Sequence, residues 1–142
     1  MGLGLVSALT AHNLFWITFH GNFSFGQLAK AHEEFLAHPE FEPGIDELLD
    51  FRATSVSDLT QKEIDMVRLF MREQPSRHNS RSAVLVGSQL EFGLMRMMGA
   101  NLDVEVPMSR GVFYSVDEAL DWLRPGEADD VKRAFQLTGG AV

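Results

Sequence analysis

Short apolar runs alternate with polar segments along the chain, and this pattern predicts strands and helices in turn. Five of the runs have the length of β-strands and are bounded by polar or turn residues. They cover residues 3–9, 14–20, 45–51, 82–87 and 111–114. The fourth run is apolar throughout residues 83–86, as expected of a strand that is covered on both faces.

Four helix starts are indicated by a Ser or Thr that is followed three residues later by Glu or Gln. In such a capping box the hydroxyl accepts a hydrogen bond from an amide of the first helical turn, which has no partner within the helix. The pairs are Ser24 with Gln27, Thr60 with Glu63, Ser88 with Glu91 and Ser115 with Glu118. Each pair follows a strand-like run and precedes apolar residues at helical spacing, so the set predicts four amphipathic helices.

The elements follow one another in the order ββαβαβαβα. The first strand turns back through residues 11–13 to the second, and so short a connection permits only an antiparallel pair. The later strands alternate with helices, which favours right-handed crossovers and parallel pairing. We therefore predict one α/β domain over residues 1–124, a two-layer or partly three-layer sandwich with a mostly parallel five-stranded sheet and an N-terminal hairpin at its edge. Residues 125–142 are predicted to be a tail with a weak helix, in which Val131 and Phe135 share a face, and a flexible end that nothing anchors.

Composition restricts the possible partners. The 20 acidic and 12 basic residues give a formal net charge of -8, and a field of this sign repels nucleic acid phosphates and anionic lipid headgroups. The absence of cysteine excludes disulfides, thiolate metal sites and thiol nucleophiles, and it fits a cytoplasmic protein. Residues 1–9 lack the basic start of a signal peptide, and no apolar run reaches the roughly 18 residues of a membrane span. We expect a cytoplasmic protein that binds no nucleic acid and does not span a membrane.

Four stretches within residues 14–123 carry a resemblance to a known family. They are His20-Gly21 before Ser24, residues 41–44 (Phe-Glu-Pro-Gly) with 48–52 (Leu-Leu-Asp-Phe-Arg), residues 92–97 (Phe-Gly-Leu-Met-Arg-Met) and residues 116–123 (Val-Asp-Glu-Ala-Leu-Asp-Trp-Leu). In these the chain resembles the SpoIIAA-like family, which has the fold of the STAS domains of anti-sigma-factor antagonists and is often grouped with SEC14-type lipid-binding domains. The resemblance implies a STAS-like sandwich and a non-enzymatic binding or regulatory module that acts through protein contacts. A homodimer is favoured on a separate ground, since it is the commonest way to cover surplus apolar surface such as that of the third helix, described below. The alternative that the resemblance implies is a carrier of a small apolar or lipid-like molecule.

The start of the second helix departs from the pattern of this family. Phosphorylatable STAS domains present a serine there, in a sequence close to Asp-Ser-Ser-Gly. Here the corresponding stretch is Asp58-Leu59-Thr60-Gln61, so Thr60 is the only hydroxyl at the helix start, and the helix cap already uses it. We expect no phosphorylation switch of that kind, and we assign Ser57, Asp58 and Thr60 to a candidate partner surface.

Acidic residues cluster around the second strand–helix unit, at Asp46, Glu47, Asp50 and Asp58. Asp50 is predicted at the carboxyl end of a strand, and this end is the usual ligand side of an open α/β sheet. Two carboxylates paired at such a position would act as a general acid and a general base. In the alternative interpretation, the Asp50 carboxylate accepts hydrogen bonds from loop amides and Arg52 neutralises its charge. We favour the alternative, predict no catalytic residue, and keep Asp50 and Arg52 as candidate binding residues. A small enzyme with an acidic site is the weaker interpretation.

Neither a metal site nor a cofactor is predicted. His32 and His38 share the first helix but lie six residues apart, whereas two ligands on one helix need i, i+4 spacing to face the same ion. Residues 87–93 contain two glycines near a helix start but lack the Gly-Lys-Ser/Thr ending of a phosphate-binding loop.

The third helix has more apolar side chains than one buried face requires. They are Phe92, Met95, Met97 and Met98. Core packing, a second subunit, a hydrophobic ligand or the tail helix through Phe135 would each cover them. Arg96 lies among them, placed either for an anionic group at the mouth of an apolar pocket or for a surface ion pair with Glu91 or Asp103. Phe92, Met95 and Arg96 complete the candidate binding surface.

Overall fold

Strands and helices alternate along the chain in the predicted order, and one further helix follows them. The computed structural model describes residues 3–55, 59–72, 80–102 and 109–142. Its strands are β1 (Leu3–Leu9), β2 (Leu14–Asn22), β3 (Asp46–Ser55), β4 (Arg81–Leu85) and β5 (Ser109–Phe113). Its helices are α1 (Phe25–Ala37), α2 (Gln61–Arg72), α3 (Gln89–Leu102), α4 (Val116–Leu123) and α5 (Ala128–Leu137). None of the helices described is long and apolar enough to cross a membrane.

The five strands form one sheet in chain order, β1-β2-β3-β4-β5. β1 and β2 pair antiparallel through a 3-10 turn over Thr10–His12, which Asn13 closes in the left-handed conformation with φ 52°. The other three pairs are parallel. β4 lies between β3 and β5, and its residues 82–85 are buried on both faces. The predicted mixed sheet, with an antiparallel hairpin at its edge and a doubly covered fourth strand, is confirmed.

All four predicted helix starts are capped by the predicted hydroxyl. The amides of Gln27, Glu63, Glu91 and Glu118 donate to the hydroxyls of Ser24, Thr60, Ser88 and Ser115, at 3.3, 3.2, 3.2 and 3.4 Å. Two of the residues that donate these amides, Gln27 and Glu63, also bind neighbouring elements through their side chains. Gln27 Nε2 donates to the carbonyl of His20 at the end of β2, and a Glu63 carboxylate oxygen accepts from the amide of Phe25. The caps therefore fix where α1 and α2 start relative to the strand and helix beside them.

The sheet separates two hydrophobic cores, so the sandwich has three layers. Odd-numbered residues of β2, such as Phe15, face the first core, and even-numbered residues, such as Trp16, face the second. The first core is covered by α1, α2 and α3, through Leu28, Ala31, Phe35, Val67, Phe92 and Met95. The second core is covered by α4 and α5, through Ala119, Leu120, Leu123, Val131 and Phe135.

Helix α5 belongs to the second core, which corrects the prediction of a weak helix in a separate tail. Val131 is fully buried, and Phe135 is only 3% exposed. The ring of Phe135 stacks on Trp16 of β2, with centroids 3.8 Å apart and planes within 3° of parallel. Two aromatic faces are thereby removed from water, so the helix is held by tertiary packing rather than by its own propensity.

Residues 138–142, here called the C-terminal strap, form hydrogen bonds with α5 and β3, which corrects the prediction that nothing anchors them. The amides of Gly139 and Gly140 donate to the carbonyls of Gln136 and Phe135, which is the Schellman pattern, and Gly139 has the left-handed φ of 92° that this pattern requires. A Cβ at position 140 would overlap the Phe135 ring, so only glycine fits there. The carbonyl of Ala141 accepts a hydrogen bond from Arg52 Nη2 at 3.2 Å.

Candidate functional site

The helices cover the two faces of the sheet to different extents. On the first-core face of β2, the side chains stay buried as far as Phe19. On the second-core face, burial decreases along the strand from the buried Trp16 to the half-buried Thr18 and the exposed His20. Helix α5 reaches this face at Trp16, and beyond it the C-terminal strap lies beside the sheet. The carboxyl-terminal half of the face is therefore open enough to admit a ligand.

A pocket of about 420 Å³ lies between this part of the sheet and the strap, and we call it the β1–β3 pocket. Its floor is formed by Leu5 of β1, Thr18 and His20 of β2, and Asp50, Arg52 and Ala53 of β3. Phe135 and the strap complete the wall. The volume lies within the roughly 300–1,000 Å³ of small-molecule sites, and the position at the carboxyl halves of parallel strands is the usual one in α/β sheets.

Asp50 is a buried carboxylate with four N–H donors. It is 2% exposed, and Trp16 Nε1 donates to Oδ2 at 3.1 Å. The backbone amide and Nε of Arg52 donate to Oδ1 at 3.1 and 2.9 Å, and Nη2 donates to Oδ2 at 2.7 Å. The bidentate ion pair offsets the cost of burying the charge. The geometry supports the interpretation in which Arg52 neutralises Asp50. Because each carboxylate oxygen already accepts two hydrogen bonds, Asp50 is poorly placed to act as a general base.

A β-bulge places Arg52 beside this carboxylate. Thr18 pairs with Asp50 but His20 pairs with Ala53, so two residues of β3 lie opposite one residue of β2. The strand continues to Ser55, so Asp50 lies within β3 and not at its end as predicted. The Arg52 side chain is 29% exposed, against 2% for Asp50, so the pair presents its cationic end towards solvent. Among the described residues, Nη1 of Arg52 has no hydrogen-bond partner.

The other described residues of the candidate surface lie with the helices on the opposite face of the sheet. Thr60 caps α2, and its hydroxyl lies 3.5 Å from Glu63 Oε1. Phe92 and Met95 are partly buried against the first core, so core packing accounts for both. Arg96 lies over the Phe92 ring, 5.6 Å from its centroid, which is a cation–π contact.

The predicted surface is therefore divided by the sheet. Asp50 and Arg52 line the β1–β3 pocket, whereas Thr60 and the α3 residues lie in the layer of α1, α2 and α3. Ser57 and Asp58 fall outside the described residues, as do the side chains of Met97 and Met98. Because Phe135 packs in the second core, the tail helix does not cover α3, and that alternative is excluded.

Three apolar side chains of the predicted amphipathic helices are exposed, although their stripes were expected to cover the sheet: Met66 and Leu69 of α2 and Leu90 of α3. Met66 and Leu69 are three residues apart and share a face of α2, which is not the face that buries Val67. A helical projection of the sequence carries this signal, because the apolar stripe of α2 is wider than one buried face. No group of His, Asp or Glu residues in the described ranges is arranged to hold a metal ion.

Comparison with known proteins identifies the fold. No protein-family model matches the chain, and no curated protein matches it. Among solved structures, the chain is similar to the crystal structure, at 2.25 Å resolution, of an uncharacterized protein of the DUF3478 family with a SpoIIAA-like fold from Shewanella loihica PV-4. The TM-score is 0.57 and the sequence identity 20%, over 86% of this chain and 93% of that chain. The chain therefore has the SpoIIAA-like fold that its sequence resemblance implies.

Proposed function

We propose that this chain is a non-enzymatic binding or regulatory module that acts through contacts with another protein. The observation that carries the proposal is the exposed apolar face of α2. Leu69 is 47% exposed and Met66 lies beside it, one turn earlier on the same face. Isolated apolar side chains are common at protein surfaces, but neighbouring ones on one helix face favour an interaction surface.

Polar residues border this face on the same helix. Gln61 and Asp65 precede Leu69 at intervals of four residues, and their side chains are hydrogen-bonded at 3.0 Å. Thr60 lies immediately before them at the helix start. An apolar centre with a polar rim is the usual organisation of a protein–protein interface. The exposed face of α2, defined by these residues, is called the α2 surface below.

The engagement of Asp50 supports the non-enzymatic part of the proposal. General acid–base catalysis by an acidic residue requires a carboxylate that exchanges a proton with substrate. Asp50 is instead occupied by Trp16 and Arg52, whose four N–H donors fill both of its carboxylate oxygens. The role that this arrangement supports is to orient the guanidinium group.

The first partner to test is a second copy of this chain in the cytoplasm, because closed two-fold dimers are the commonest protein assemblies. A carrier of a small apolar molecule is the second candidate function, and the β1–β3 pocket is the observation that favours it. Native mass spectrometry of the purified chain separates the two, because a dimer doubles the mass whereas a co-purified ligand adds a few hundred daltons at most, which is roughly what a pocket of this size admits.

A charge introduced on the α2 surface tests the protein-contact proposal. Leu69→Glu should weaken association at least about tenfold, because the new carboxylate loses its water at the interface without gaining a partner. Leu137→Glu is the matched control, since Leu137 is 85% exposed on α5, which packs on the opposite face of the sheet. Thr60→Glu is a less direct test, because it also removes the cap of α2.

The readout is the dimer dissociation constant from analytical ultracentrifugation. If the chain is monomeric, the readout is quantitative cross-linking to proteins of its native host. Loss of association in Leu69→Glu with retention in Leu137→Glu supports the α2 surface. Equal association of both variants with the partner refutes that surface, and a chain that associates with nothing refutes the proposal.

A further inference from the structure

The β1–β3 pocket lies on the face of the sheet opposite the α2 surface, so protein contacts through α2 leave it unexplained. Its floor is sheet, including the half-exposed Leu5 and the exposed His20, and its wall is the C-terminal strap. The polar groups that Asp50 and Arg52 contribute are held rigidly by their mutual hydrogen bonds. A rigid polar group in a concave, largely apolar site is what small-molecule recognition requires.

The hydrogen-bonding groups that Asp50 and Arg52 leave available decide which ligand group fits. Asp50 already accepts four N–H donors, so it offers little to an amine. Arg52 offers the two hydrogens of Nη1, which is without a partner among the described residues, and it is the more exposed member of the pair. The Ala141 carbonyl on Nη2 already shows that an acceptor oxygen can bind this guanidinium. The pocket therefore selects a ligand that presents acceptor oxygens.

The charge balance limits the ligand to at most one negative charge. Asp50 and Arg52 cancel each other, and the chain carries a formal net charge of -8. A phosphate dianion would meet no net positive charge at the pocket and a repulsive field from the chain as a whole. A single carboxylate instead gains a charge-assisted hydrogen bond from Nη1 at a smaller electrostatic cost.

The remaining lining is suited to an apolar body. Leu5 and Ala53 of the sheet and Val142 of the strap contribute exposed hydrocarbon surface, and the pocket volume of about 420 Å³ accommodates a ligand of about a dozen non-hydrogen atoms. We infer that the β1–β3 pocket binds a small monocarboxylate with an apolar body, whose carboxylate accepts from Arg52 and whose body packs on Leu5 and the strap. The inference gives the second candidate function a ligand class, and it does not depend on the α2 surface.

The test uses 3-phenylpropionate as the probe and the full chain, with isothermal titration calorimetry. The acid should bind at least about tenfold more tightly than 3-phenylpropan-1-ol, which keeps the apolar body but loses the charge-assisted bond. The corresponding amine and inorganic phosphate should not bind measurably. Arg52→Lys should reduce the preference for the acid over the alcohol, because an ammonium group lacks the planar fork that bonds to Asp50 and the ligand together.

A pocket-filling variant keeps the test decisive if changes at Arg52 destabilise the fold. Ala53→Leu adds three carbon atoms at an exposed strand position on the pocket floor and should weaken binding of 3-phenylpropionate at least tenfold. Ala37→Leu is the matched control, because Ala37 is exposed at the end of α1, outside the pocket. It should bind the probe as the wild type does.

Three results overturn the inference: no binding of 3-phenylpropionate at millimolar concentration, equal binding of the acid and the alcohol, or unchanged binding in Ala53→Leu. Tighter binding of phosphate than of the acid overturns the assignment of one negative charge. None of these results bears on the association of Leu69→Glu, so the two proposals fail separately.

Discussion

Replacement of Phe135 by alanine tests the strongest correction that the structure makes to the sequence interpretation. If residues 125–142 were a weakly attached tail, truncating a side chain there would have little effect on the free energy of unfolding. In the structure, the Phe135 ring is 3% exposed, stacks on Trp16 and lies against Gly140 of the strap. Its removal therefore opens a cavity in the second core and withdraws the contact that holds the strap.

The cost follows from the burial. Truncation of a buried phenylalanine to alanine costs about 3–5 kcal/mol, because the transfer free energy of the ring is lost and a cavity remains. The stacked pair contributes about 0.5–1.5 kcal/mol of this beyond simple burial. Phe135→Leu, which keeps most of the apolar volume, should cost only about 1–1.5 kcal/mol. A domain is typically stabilised by about 5–15 kcal/mol, so the alanine variant loses a large part of its stability.

The assay is urea unfolding followed by circular dichroism. With a slope of about 2 kcal/mol per molar urea, the midpoint of Phe135→Ala should fall by about 1.5–2.5 M. Leu137→Ala, on the same helix but 85% exposed, is the control and should change the free energy of unfolding by less than about 0.5 kcal/mol. A midpoint for Phe135→Ala within about 0.3 M of the control would refute the assignment of α5 to the core.

Substitutions at three further positions test individual side chains. Arg124 donates to two carbonyls of the hairpin turn and to Asp46 at 2.7–2.8 Å. Arg124→Ala should therefore lower the free energy of unfolding by about 2–3 kcal/mol, which a lower Tm would show. An unchanged Tm would contradict these contacts. Ser115→Ala should cost about 1 kcal/mol in urea unfolding and Ser115→Asp should not, because either Ser or Asp can cap α4. A hydrogen bond to Asp117 raises the pKa of Lys132 above its ordinary value of 10.5. The contribution of this pair to the stability of the fold is therefore fully present below pH 10.5 and is lost as the pH rises through the raised pKa. The stability difference between wild type and Lys132→Met should therefore close at strongly alkaline pH, and a difference that persists there would contradict the ion pair.

Local interactions made much of the fold predictable from sequence. A helix cap joins a hydroxyl to an amide three residues away, so Ser24 and Ser115 act as predicted whatever surrounds them. The hairpin was predictable because the turn between β1 and β2 is too short for any other connection. The end of α5 carries an equally local signal, since Gly139 is at the position that requires a left-handed φ, and sequence reasoning passed over it.

The candidate site was predictable only in its residue types. Asp50 and Arg52 were recognised as an acid and its neutralising partner because they lie two residues apart in the sequence. The β-bulge beside them was not recognised, because residues 52–55 lack the apolar alternation that would extend the strand beyond Phe51. Their separation from Thr60 and Met95 was also not predictable, because the face of the sheet that each helix covers depends on the handedness and length of its connection.

The sequence by itself determined the number of strands, the starts of four helices and the antiparallel edge, since each depends on residues that are neighbours in the chain. The tertiary structure alone decided that α5 packs on Trp16, that the strap reaches Arg52 and that a pocket lies between them. These contacts join residues about a hundred positions apart, and their free energy comes from apolar area and hydrogen bonds that exist only once both layers of helices have closed on the sheet.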